Sequence, residues 1–121
     1  MAGELSGELL AMLGEDGFVG LTQAFGGTRL YVPHKVDEDH EIAKAVGLVR
    51  ALRLSRRFAP AVLRVPLARE QRALHYRGQG LSNAEIARKL GITESGVDKL
   101  FLRRPDAPAK GSANQLSLFD N

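Results

Sequence analysis

The first half of this sequence is written twice. Glu8, Gly14, Leu21, Phe25, Leu30, Val32 and Pro33 recur 33 residues later as Glu41, Gly47, Leu54, Phe58, Leu63, Val65 and Pro66, seven identities over 26 ungapped positions. Leu9/Ile42, Leu13/Val46 and Thr22/Ser55 are conservative besides. An internal duplication means that both copies form the same supersecondary unit. Two copies are too few for a solenoid.

The unit itself can be read from its periodicity. Leu5, Leu9, Leu10, Met12 and Leu13 fall on a helical stripe that Gly14 ends. Glu15 and Asp16 open a second helix carrying Phe18, Leu21 and Phe25, and Gly26-Gly27 break it. Arg29 to Val32 alternates and is β-prone, and Pro33 closes it. Each copy therefore reads helix, helix, short strand. The strands, 28–33 and 61–66, form a two-stranded sheet, which is marginal alone in water. Helices must cover it, or another subunit must extend it. In the second copy Ala59-Pro60 replace Gly26-Gly27, Arg64 replaces Tyr31, and Arg50, Arg53, Arg56 and Arg57 appear. Arg50, Arg53 and Arg57 share a helix face that either follows phosphates or is a solvated exterior. Asp37, Glu38 and Asp39 read as the start of a helix over His40–Val46 rather than a metal site.

Behind the repeat, residues 67–79 read as a helix with Leu67, Leu74 and Tyr76 inward and Arg69, Arg72 and Arg77 outward. Leu81 to Phe101 then reads as a helix-turn-helix. Ser82-Asn83-Ala84-Glu85 is a capping box. Ile86, Ala87 and Leu90 line one side of a short helix, and Gly91 permits the left-handed corner. Ile92 plugs the gap, and Thr93 caps a second helix whose Val97, Leu100 and Phe101 point inward. The fold expected is mainly α: a duplicated helix-helix-strand region over 1–66, a three-helix helix-turn-helix over 67–104, and a flexible tail over 105–121. The N-terminal region is the expected dimerisation element.

Charge separates along the chain. Residues 1–40 hold two basic against seven acidic side chains; residues 41–121 hold fifteen against seven. A basic back half suits a polyanion. On the reading helix, Glu94, Ser95, Asp98 and Lys99 are placed to reach base edges. Asn83 and Thr93 suit phosphates, and Arg103 adds charge. Glu94 and Asp98 repel phosphate and each other, which points to binding as a homodimer. The chain has no cysteine, so disulfides and thiolate metal sites are excluded. That composition fits a cytoplasmic protein, and neither a membrane span nor a signal peptide is expected. His34, His40 and His75 are scattered without ligand or nucleophile spacing. Neither an enzyme activity, a catalytic residue, a cofactor nor a metal is expected.

Two resemblances follow from particular residues. Phe25-Gly26-Gly27-Thr28-Arg29-Leu30-Tyr31-Val32-Pro33, with a helix-turn-helix behind it, resembles the Mor/C family of phage transcription activators over roughly residues 20–101. The resemblance implies a regulator of prophage or mobile-element origin that binds double-stranded DNA and acts with host RNA polymerase. It makes Gly26 and Gly27 a hinge, and Arg29 and Tyr31 minor-groove contacts. Separately, Gln115-Leu116-Ser117-Leu118-Phe119 is similar to the short peptide by which bacterial proteins bind the replication sliding clamp. It implies an adaptor tethered to the clamp, with Gln115 at the pocket rim and Leu118 and Phe119 within it.

Overall fold

The computed structural model describes residues 2–103. It is mainly helical with one two-stranded antiparallel sheet. The elements are α1 (Ala2–Phe25), β1 (Arg29–Val32), α2 (Glu41–Val46), α3 (Leu48–Phe58), β2 (Ala61–Arg64), α4 (Arg69–Gly78), α5 (Asn83–Leu90) and α6 (Glu94–Leu102). The chain divides into two compact units, Met1–Ala68 and a second from Arg69 onward. Among the described residues no helix is long and apolar enough to cross a membrane.

The duplication is built into the first unit. α1 is two helices joined at Gly14, where the backbone turns to φ 75°, ψ 172°. Gly47, its counterpart, takes φ 91°, ψ 153° between α2 and α3. Backbone of this kind is essentially confined to glycine. Both copies thus run helix, glycine corner, helix, strand. Counterparts share their environment: Leu9 and Ile42, like Leu21 and Leu54, are fully buried, and Val32 and Val65 lie in the same core. Removing such a side chain from water stabilises by about 1.5–3 kcal/mol.

The sheet joins the copies. Leu30 pairs with Leu63, and Tyr31 with Val62. Leu30 and Leu63 are each other's counterparts, so exchanging the copies leaves the register unchanged. That is the signature of a local twofold axis through the sheet. Helices of both copies and both strands contribute to one apolar cluster, so the cover that a lone strand pair needs is supplied within the chain.

The face of Arg50, Arg53 and Arg57 is largely a solvated exterior, with Arg53 and Arg57 exposed and Arg50 half-buried, and it also bonds to the first copy. Arg50 Nε donates to the Leu13 carbonyl at 2.9 Å and its Nη1 to that of Val46 at 3.2 Å. Arg53 Nη1 reaches the Met12 carbonyl at 3.5 Å, and Arg57 Nε pairs with Glu8 Oε2 at 2.5 Å. Met12 and Leu13 end a helix, where carbonyls lack intrahelical partners, and these arginines supply donors. Gly26 and Gly27, the hinge that the resemblance implies, form a hydrogen-bonded turn. The Gly26 N–H donates to Thr22 and the Gly27 N–H to Val65, at 2.8 and 2.9 Å. A Cβ at Gly26 would lie 2.4 Å from the Thr22 carbonyl oxygen. The pair turns the chain into β1.

Candidate nucleic-acid interface

The second unit is α4, α5 and α6. The Ser82 hydroxyl accepts from the Glu85 N–H at 3.2 Å, while the Ser82 N–H donates to Glu85 Oε1 at 2.8 Å, completing the capping box. The backbone bond, then the hydroxyl, hold the Glu85 carboxyl below its ordinary pKa. α5 ends at Gly91 in the left-handed conformation (φ 72°, ψ 33°). The Thr93 hydroxyl then caps α6 by accepting from the Gly96 N–H at 3.0 Å. Gly91-Ile92-Thr93 is therefore a short turn between two capped helices, the arrangement of a helix-turn-helix. Ala73, Tyr76, Ile86, Ala87, Leu90, Val97 and Leu100 are buried beneath it.

Apart from Leu102 at its end, which is exposed, α6 leaves polar side chains outside. Glu94, Ser95, Asp98 and Lys99 are exposed, as are the cap Thr93 and Arg103. Arg103 Nη2 lies 3.5 Å from Glu70 Oε2, an exposed pair that water screens. Arg88 and Lys89, at the end of α5, are exposed cations that the sequence reading passed over. Their positions in the last turn favour the helix dipole as well as an anion.

The arginines of α4 depart from expectation. Arg72 and Arg77 were expected to face outward; both are buried. Arg72 Nη2 donates to the Lys89 carbonyl at 3.0 Å and its Nε to the Tyr76 hydroxyl at 3.3 Å. Arg77 Nη1 donates to the Leu81 carbonyl at 3.0 Å and Nη2 to Asn83 Oδ1, with the guanidinium 4.7 Å from the Phe101 ring centre. Burial lowers the Arg77 pKa, and Asp98 acts the other way. An arginine can hide its stem and spend its fixed fork of donors on carbonyls, and here it ties α4 to the start of α5.

Asn83, expected at phosphates, is turned inward for the same reason. Its amide carries the network on: Nδ2 donates to Asp98 Oδ1 at 2.6 Å. Arg77, Asn83 and Asp98 thus form a chain across all three helices. Asp98 is exposed yet held through one carboxylate oxygen. Glu94, Ser95 and Lys99 remain the side chains of α6 with no such tie to the interior.

In the first unit, Arg29 and Tyr31 stand on the outward face of the sheet, with Leu30 and Val32 turned into the core. Arg29 lies directly opposite Arg64, and Tyr31 opposite Val62; all four are exposed. Two like charges facing each other across strands are unfavourable, and an anion would relieve them. Arg64 was noticed in the sequence only as a change from Tyr31; the antiparallel register is what brings it to Arg29.

Gln115, Leu116, Ser117, Leu118 and Phe119 lie outside the described residues. Among the described residues no group of three or more His, Asp or Glu could hold a metal ion. Comparison of the chain with protein families, with curated proteins and with solved structures finds no match.

Proposed function

We propose that this protein is a sequence-specific DNA-binding transcriptional regulator of prophage or mobile-element origin, reading the major groove with α6. The observation that carries the reading is the corner at Gly91. Two independently capped helices meet across a short turn, one side of α6 is packed on Val97 and Leu100, and the other offers Glu94, Ser95 and Lys99. Ser and Glu suit base edges; Lys99, Arg88 and Lys89 suit phosphate. The Mor/C-like Gly-Gly-strand segment supports the same reading, with Arg29, Arg64 and Tyr31 as a second contact surface on the sheet.

The test is selection of bound sequences from random duplex DNA, followed by titration of the selected duplex. Ser95→Ala combined with Lys99→Ala should weaken binding by about tenfold or more, the cost of one lost base contact, with the helical circular dichroism unchanged. Unchanged affinity for the same duplex would remove α6 from the role of reading helix.

The Gln115–Phe119 peptide favours a second reading, an adaptor tethered to the replication sliding clamp. A peptide of residues 112–121 should bind purified clamp, and Phe119→Ala should abolish that binding. Absence of binding at high micromolar clamp rejects it.

A further inference from the structure

We infer that the first unit is a dimer fused into one chain, so that a single chain is the DNA-binding species and its target is one unrepeated element rather than an inverted repeat. The statement about the target rests on the DNA-reading proposal above; the statement about the chain does not.

Three observations carry it. The first is the register: because Leu30 faces Leu63, the sheet is the seam that two identical copies would make about a twofold axis. The second is that the inner face of the seam is already covered, since helices of both copies pack with Leu30, Val32 and Leu63 in one core. A lone strand pair needs cover from helices or extension by another subunit, and helices of the two copies supply that cover on its inner face.

The third observation is decisive against pairing like with like. Gly17 and Arg50 are counterparts in the repeat, and they touch. A Cβ at Gly17 would lie 2.5 Å from Arg50 Cδ, and Arg50 uses that space to reach the Leu13 carbonyl. A residue that meets its own counterpart lies at the twofold axis. In a homodimer of one copy, symmetry would set glycine on glycine, leaving a gap, or arginine on arginine, two charges in one space. Only two different copies can set an arginine into the hollow of a glycine. The same divergence appears in the Arg57–Glu8 pair, whose symmetry mate would be Ala24 with Glu41 and forms no ion pair. The copies have become complementary to each other and no longer to themselves.

Among the described residues, one unit of this kind is followed by one reading helix. An inverted repeat needs two reading helices related by symmetry; a chain whose twofold interface is internal has one.

The experiment is light scattering of the full chain from low to high micromolar, followed by native mass spectrometry with the selected duplex. The expected result is the mass of one chain throughout and one chain per duplex. Joining two copies of the element head to head should raise affinity by no more than the statistical advantage of two sites. A mass of two chains overturns the inference. The exposed apolar face of α3, Leu48, Val49 and Leu52, is where a second chain would pack, and loss of the dimer in Val49→Lys with Leu52→Lys would locate it. Cooperative binding of two chains to an inverted repeat overturns it equally. If no duplex is retained, the DNA reading fails, and the mass alone still decides the fused dimer.

Discussion

Asn83→Ala should be among the most damaging single changes in the second unit, although asparagine is polar and stands at a helix start. The substitution removes two hydrogen bonds at once. On one side Arg77 Nη2, in a side chain that is only 1 % exposed, loses its acceptor. A hydrogen bond to a charged group contributes about 1.5–3 kcal/mol, and a buried donor left unpaired costs about 1–3 kcal/mol; the two overlap, giving about 2–4 kcal/mol. On the other side Asp98 is exposed, so water replaces the lost donor at little cost. The loss is a large part of the roughly 5–15 kcal/mol that holds a small domain folded. Amide hydrogen exchange of α5 and α6 across a urea series reports it without interference from the first unit. A charge exchange sharpens the test. Asn83→Asp alone keeps an acceptor for Arg77 but sets a second carboxylate against Asp98 Oδ1, where a donor stood at 2.6 Å. Adding Asp98→Asn restores a donor to that contact and leaves the new carboxylate beside Arg77. The pair should recover to within about 1 kcal/mol of the parent, a coupling of the size contacting residues show. If Asn83→Ala costs less than about 0.5 kcal/mol, the range of ordinary surface changes, or if the exchanged pair is no better than Asn83→Asp alone, the network does not hold the helices as described.

Four further outcomes are expected. Gly14→Ala and Gly47→Ala should each destabilise the first unit by about 1–3 kcal/mol through backbone strain, because an added Cβ meets nothing within 4 Å at either site; chemical denaturation with D-alanine in place of L-alanine should show no such loss. Ser82→Ala should cost the second unit about 1 kcal/mol, measured the same way. Glu85 has a folded pKa below its unfolded one, so its stabilisation is fully present above the usual glutamate range and is lost as pH falls through the folded value; amide protection in α5 should fall there, and Glu85→Gln should flatten that dependence. In DNA binding, Arg88→Ala should reduce the slope of log affinity against log salt by about one if it contacts a phosphate, and an unchanged slope excludes that contact.

Most of the fold was legible because it depends on local signals. The repeat gave the strands their partners, Gly14 and Gly91 marked corners that other residues resist, and Ser82, Glu85 and Thr93 announced their helix starts. What escaped reading was where long polar side chains go. Arginine is rarely buried, so sequence alone places Arg72 and Arg77 outside; the fold brings carbonyls and an asparagine within reach of their forks. The same blindness hid Arg50, whose place depends on a glycine 33 positions earlier in the chain. Asn83 looked available for phosphate because its two partners, Arg77 and Asp98, stand on other helices. Arg64 lacked a neighbour until the strands were seen to run antiparallel.

The connection between β1 and α2 joins the two copies. Pro33 to His40 is pinned at several points: the Ser55 hydroxyl lies 2.8 and 2.9 Å from the Pro33 and His34 carbonyls, Val36 is buried, and His40 Nδ1 accepts from the Ile42 N–H. A short tether holds its ends at an effective concentration on the order of millimolar, so the two halves meet each other long before they meet strangers. Trimming that tether until it no longer spans the gap would leave the pairing of β1 with β2 available but forbid closure at home. Such a chain should trade halves with a neighbour and emerge as an interlocked, domain-swapped pair.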